Sequence, residues 1–402
     1  MMTQPGLAVL PVVSLIAACI ACGSPASAQV TVELRGGAPD RAASAVTALD
    51  QGLEVRFGEP GKPETREVIP WDEVRGISDP SSRNAAADFL AMAEDLWRAR
   101  IRVARRDAAL AHPLLERHWT RLRGASGPTA QLVAEGLLRA AVESRDLNGA
   151  VGPWIACLRL GTEGTPTRFP ALTPLLDDST GLLPGLSPFV PSDMRAALAK
   201  ALDEAAAHAR SIGTTPQGSA ATAASAATQM SRLLAISGGA PVPARAAASA
   251  SDAPAVRVLA AIESIASADD ARARERAVAD FDRLYPEAPA FLSAWRLAAI
   301  GAGSARAARA TAQDGRAAAL VAAALDNLAV PASGLDKTGL VDAYAIEMAE
   351  QLTREAGDTA AANALAALRD ERLRDAAIKI GPAPASTNGA SGEGADGGGR
   401  KQ

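Results

Sequence analysis

Between Asn84 and Leu160 the apolar residues fall into four successive runs, each repeating at intervals of three or four positions, the spacing that lines one face of a helix. The first run is Phe89, Ala93, Leu96, Trp97, Ile101 and Ala104, and the second is Ala111, Leu114, Leu115, His118, Trp119 and Leu122. Leu132, Val133, Gly136, Leu137 and Ala140 mark the third face, and Ala150, Val151, Trp154, Ile155 and Leu158 the fourth. Asp79-Pro80-Ser81-Ser82 supplies a turn and an N-cap ahead of them. Short connections predict antiparallel neighbours. One phrase occurs twice at these connections: Arg106-Asp107 with Ala111 four residues on, and Arg145-Asp146 with Ala150. Each Asp is placed to cap the following helix, each Arg to offset the dipole of the preceding one, and each Ala to let two helices approach closely.

Upstream the period changes from helical to alternating. Val30–Leu34 and Leu53–Phe57 read as strands, and Glu67–Trp71 leads into Asp72–Ile77, with turn formers between. This predicts a small antiparallel β module over 29–79. Trp71 beside such a strand is read as core before it is read as a binding-face aromatic. Downstream of the four helices, 161–192 is rich in proline and glycine, which excludes a long helix, yet too apolar for a solvated linker. It is expected to pack as an irregular loop over the helical face. Helical spacing resumes from Ser192 to about Ile212. An Ala/Ser/Gly/Pro-rich stretch fills 213–254, with one helix expected at Met230–Ile236 and a linker at Ser237–Pro254. A second helical region covers 255–380, and 381–402 lacks the apolar residues to fold. The expected fold class is mainly α: paired antiparallel helices preceded by a small antiparallel β domain.

With Arg106 set at its central turn, Ala99 and Ala111 match the small positions of a tetratricopeptide-type repeat, as Ala150 does in a second unit. Arg354-Glu355-Ala356-Gly357-Asp358 followed by Ala362 comes closer still to the turn of that family. The 80–212 region therefore resembles a TPR-like α-α array, although the Gly and Tyr usual in the first helix are absent. The β module resembles a small SH3-like barrel. The first resemblance implies a concave helical surface that binds protein.

Composition narrows the function classes. Aromatic residues are 3% of the chain and the formal net charge is -4, so neither base stacking nor a concentrated basic field favours nucleic acid. Leu7–Cys22 is almost wholly apolar and is followed by Gly23-Ser24-Pro25 and the small triplet Ala26-Ser27-Ala28, the pattern of a signal peptide over 1–28 that directs export to the periplasm or cell envelope. The run is shorter than the ~20 residues of a membrane-spanning helix, so no integral span is expected after processing. Ile16-Ala17-Ala18-Cys19 resembles a bacterial lipobox, which makes Cys19 a possible lipid anchor. Cleavage after Ala28 would instead leave Cys157 as the one cysteine of three, with no internal disulfide.

The chain carries no P-loop, no nucleophile elbow, no H-E-x-x-H and no paired C-x-x-C. His112 and Glu116, one helical turn apart, could share a proton, but no nucleophile is evident near them. Asp177 and Asp178, with Phe169 and Phe189, are the candidates for a functional loop; the two acids would need several further oxygen ligands to hold a cation. No catalytic, cofactor or metal residue is assigned. The expected function is a non-catalytic scaffold that binds another envelope protein. An envelope hydrolase or polysaccharide-active enzyme with its acids in 161–192, and a lipoprotein held through Cys19, are the alternatives.

Overall fold

A computed structural model describes residues 29–58, 64–213, 218–241 and 253–376. The leader with Cys19, residues 242–252 of the expected linker and the tail beyond 376 lie outside the described residues. The β module holds β1 (Val30–Leu34), β2 (Arg41–Ala43), β3 (Ala45–Leu49), β4 (Gly52–Phe57), β5 (Thr65–Ile69) and β6 (Val74–Ile77). They form two antiparallel sheets, ordered β2-β1-β6 and β3-β4-β5. The chain passes from one sheet to the other through Ser44 alone, whose N–H and hydroxyl both donate to the Arg56 carbonyl at 2.9 Å. A single 3-10 turn, Trp71–Glu73, joins β5 to β6.

Thirteen helices follow among the described residues: α1 (Pro80–Ala85), α2 (Ala87–Ala104), α3 (Ala108–Leu122), α4 (Pro128–Ser144), α5 (Leu147–Thr162), α6 (Ser192–Ile212), α7 (Ser219–Ser237), α8 (Pro254–Ala266), α9 (Ala271–Leu284), α10 (Ala290–Ala310), α11 (Gln313–Ser333), α12 (Leu340–Glu355) and α13 (Thr359–Ala376). From α2 onward every helix packs against the next one in sequence, and α2 with α4, α5 with α7, α8 with α10 and α10 with α12 also touch. The expected class, mainly α with sequential packing after a small antiparallel β region, is the one observed.

The repeated phrase has one backbone conformation in three places. Arg106, Arg145 and Gly357 adopt left-handed φ values of 62°, 56° and 94°. The N–H of the next residue then reaches back across the turn: Asp107 to Arg102 O at 2.9 Å, Asp146 to Ala141 O at 2.9 Å, Asp358 to Thr353 O at 3.1 Å. This is a Schellman ending, which uses carbonyls the helix leaves unpaired. Ala111, Ala150 and Ala362 donate to the carbonyls of those aspartates and are all buried. The expected side-chain cap forms at Asp146, which accepts from Gly149 N at 2.9 Å, and Asp358 makes the same kind of cap, accepting from Ala361 N at 2.9 Å. Asp107 departs from the expectation and makes no side-chain cap. There, Glu143 of α4 accepts from Ala108 N at 3.3 Å instead.

The stretch expected to be mostly linker contains α7, a helix of 19 residues rather than the short Met230–Ile236 segment. Ala220, Ala223, Ala224 and Ala227 extend the buried spacing of Met230 and Leu234 backwards by two to three turns. Alanine is the best helix former and its small side chain admits close neighbours, so α7 lies against α5, α6 and α8. Two hydrophobic cores result. One joins the β module to α2, α3 and α4, and the other runs from α4 through α12.

Arg106 is exposed, so its left-handed backbone can be tested without disturbing the core. Arg106→Gly should raise the unfolding free energy by about 0.5–1 kcal/mol in urea denaturation, and Arg106→Val should lower it by about 1 kcal/mol, because only glycine adopts this conformation without strain. Equal stabilities would show that the turn carries no strain.

Candidate functional site

The irregular segment between α5 and α6 is folded down over α4, and its apolar residues are spent on packing. Phe169 is buried in the first core, with the Arg139 guanidinium 5.5 Å over its ring. Phe189 is buried in the second, 5.4 Å from the Tyr344 ring. Asp177 closes a turn: its Oδ1 accepts from Ser179 Oγ at 2.6 Å, Thr180 Oγ1 at 2.8 Å and Thr180 N at 2.9 Å. Asp178 is exposed. The structure does not bring these four residues together.

A buried polar network fixes the segment in place. Asp72, in the 3-10 turn, has a side chain with 0% exposure and sits between Arg100 of α2 at 2.8 Å and Arg168 of the loop at 2.9 Å. Arg168 also reaches Glu73 at 2.7 Å. Burial works against the charge of Arg168, but Asp72 and Glu73 outweigh it and hold the guanidinium above its ordinary range. From α4, Glu135 accepts from Thr167 Oγ1 at 2.8 Å, Arg168 N at 2.9 Å and Arg139 at 2.9 Å. Arg139 in turn donates to Thr173 O at 3.1 Å. Three elements distant in sequence are thereby joined through acidic and basic side chains, of which Asp72, Glu135 and Arg139 are the most deeply buried.

The segment's position leaves α5 open to one side, where α3 and α6 flank it. Between them lies a groove of about 500 Å3. Its floor is small, with Gly149, Gly152, Pro153 and Ala156 of α5. A Cβ at Gly152 would meet the Trp119 ring at 3.4 Å, an ordinary contact, so the indole lies against the floor here. The α3 wall carries His112, Glu116, Trp119 and Arg123; the α6 wall carries Lys200, Ala201, Glu204 and His208. Lys200 and Glu204 form an exposed pair at 3.8 Å, one turn apart.

One end of the groove is built more tightly. Arg159 of α5 is almost fully buried and ties that helix to the α3–α4 turn, donating to Ala125 O at 2.5 Å and to Glu163 at 2.7 Å. Beside it the Nε2 of His208 is buried without a hydrogen-bond partner. Burial, then the charges of Arg123 and Arg159, depress the His208 imidazole below its ordinary value of 6.5, so it is neutral at neutral pH. The remaining histidine, His118, faces α2 and meets Asp95 at 3.2 Å.

His112 and Glu116 therefore share a groove wall with Trp119, a neighbourhood that their spacing alone did not reveal. Lys200, Glu204 and His208 come from 80 to 90 residues further along the chain, and no local pattern announces them. Cys157 is buried, and desolvation pushes its thiol well above the usual range, as for a packing residue. Among the described residues no cluster of three or more His, Cys, Asp or Glu is placed to hold a metal ion. No family model matches the chain, and neither a curated protein nor a solved structure matches it.

The network makes a prediction about stability. Arg168→Ala leaves Asp72 desolvated with one guanidinium instead of two and should cost about 3 kcal/mol in urea denaturation. Arg168→Lys should recover only part of that loss, because a point charge cannot reach Asp72 and Glu73 together as a guanidinium does. A loss below about 1 kcal/mol, the range of solvated ion pairs, would contradict the clamp.

Proposed function

We propose that this chain is an exported protein of the cell envelope that binds a segment of another protein in the groove between α3 and α6, without catalysing a reaction. The groove carries the reading: a floor of glycine and alanine leaves room for a chain, an indole edge supplies contact area, and walls of both charge signs supply register. The apolar leader with its A-x-A site supports export. No described helix is long and apolar enough to cross a membrane.

Two resemblances fit the same reading. The Schellman turns at Arg106, Arg145 and Gly357, each followed by a buried alanine, and the contacts between alternate helices resemble a tetratricopeptide-like array, an architecture of concave binding surfaces. In the β module the first strand pairs with the last, the chain bends at Ser44 from one sheet into the other, and a 3-10 turn precedes the final strand. That order resembles an SH3-like barrel. Its role here is support, since Trp71 is buried, donates to Leu49 O at 2.7 Å and stacks on Phe89 of α2 at 5.0 Å.

A photoreactive amino acid placed in living cells at Ala201 or at Glu116 should cross-link to one and the same protein. Placed at Leu325, an exposed position on α11, it should not. Failure at both groove positions, or equal capture from Leu325, would overturn the proposal. Mass spectrometry of the mature amino terminus tests the compartment: a peptide beginning at Gln29 fits a released envelope protein, whereas an acylated Cys19 would replace it with a membrane-anchored one.

A further inference from the structure

The α4–α5 turn separates the groove from a second cavity of about 410 Å3, within the ~300–1,000 Å3 range of small-molecule sites. This cavity lies between that turn, the α11–α12 connection and α13. Asp342, on the first turn of α12, lines it with 6% exposure, and its Oδ1 has no hydrogen-bond partner. An orphaned carboxylate oxygen in a desolvated place is costly unless something completes it. Around it stand three cations, Arg145, Lys337 and Arg372, all exposed, while Leu147, Leu183 and Leu340 supply apolar wall. The N-terminus of α12 is not free to bind an anion, because Asp336 Oδ2 already accepts from Val341 N at 2.8 Å and Asp342 N at 3.1 Å. A buried acid and exposed cations thus line one small cavity with opposite charges.

We infer that this cavity binds a free α-amino acid with an apolar side chain, its ammonium on Asp342 and its carboxylate beside Arg372 and Lys337. The inference does not rest on the groove, and its test is separate from cross-linking. Burial, then the nearby charge of Asp336, raises the Asp342 carboxyl to about 6 against the opposing pull of Arg372; Asp146 is the other acid lining the cavity. An arriving ammonium favours the ionised form and lowers that value. Binding should therefore release a proton at pH 5.5, where the free group is largely protonated, and none at pH 7.5. Affinity should fall as the pH drops through 6.

Calorimetry with three probes on the full chain decides the matter. L-leucine should bind at pH 7.5, leucinamide should bind more weakly for want of the carboxylate, and N-acetyl-L-leucine, which has no ammonium, should not bind. Asp342→Asn should weaken leucine at least about tenfold, the size of one lost charged hydrogen bond. Arg372→Ala, at an exposed position, should narrow the gap in affinity between leucine and leucinamide, because only leucine loses a carboxylate partner. If leucine does not bind, if N-acetyl-L-leucine binds as well as leucine, or if Asp342→Asn retains full affinity with the fold intact by circular dichroism, the inference is wrong.

Discussion

The structure depends on one helix having two insides. On α4, Leu132, Val133, Leu137 and Ala140 enter the core shared with the β module and α2, while Ala130, Ala134, Leu138 and Ala141 enter the core of the later helices. Every residue from Thr129 to Ala141 is consequently buried. A helix buried all round has no solvent face on which to place its polar residues, so Glu135 and Arg139 must be satisfied internally. They pair with each other and with the irregular segment after α5, whose Thr167, Arg168 and Thr173 supply further partners, although Arg139 Nε and Gln131 Oε1 are left without one. The loop is thus a structural consequence of α4 being a shared wall, and its course leaves α5 uncovered where the groove forms.

A second helix repeats the constraint at the far end. Leu340 to Glu350 of α12 are all buried, and each acid among them has been given a task or left one. Glu347 accepts from Ser192 N at 2.9 Å, which caps α6; Glu350 pairs with Arg369 at 2.7 Å and Arg354 at 2.9 Å. Tyr344 donates to Ser237 O at 3.2 Å and packs on Phe189, so the loop, α6, α7 and α12 are fastened at one place. Asp342 is the exception, with an unpaired oxygen beside a cavity. The array therefore carries two concave features on either side of the α4–α5 turn, and that turn, with Asp146 in both linings, is the boundary between them.

Periodicity made α2 to α5, β1, β4 and the β5–β6 stretch legible, because those signals are local, whereas β2, β3 and the short α1 were not anticipated. The Arg-Asp phrase was legible as a helix junction, but not as a left-handed turn, since nothing in an arginine announces a positive φ. The start of α7 was obscured by alanine, which carries burial without looking apolar enough to mark a face. The loop's apolar content correctly pointed to packing over the helices. Its anchors did not show: Arg168 and Asp72 are 96 residues apart, and such a pair exists only after folding. The groove is invisible for the same reason, being assembled from the exposed sides of helices whose buried sides produce the pattern.

Each enclosed by its neighbours, α4 and α12 should open only when the whole array unfolds. Amide hydrogen exchange followed by mass spectrometry at increasing, sub-denaturing urea measures this directly. The amides of 129–141 and 340–350 should exchange last, together, and with the same urea dependence as global unfolding. Exchange of α12 through a local opening well before α4 would contradict a single body and leave two helical units that merely touch.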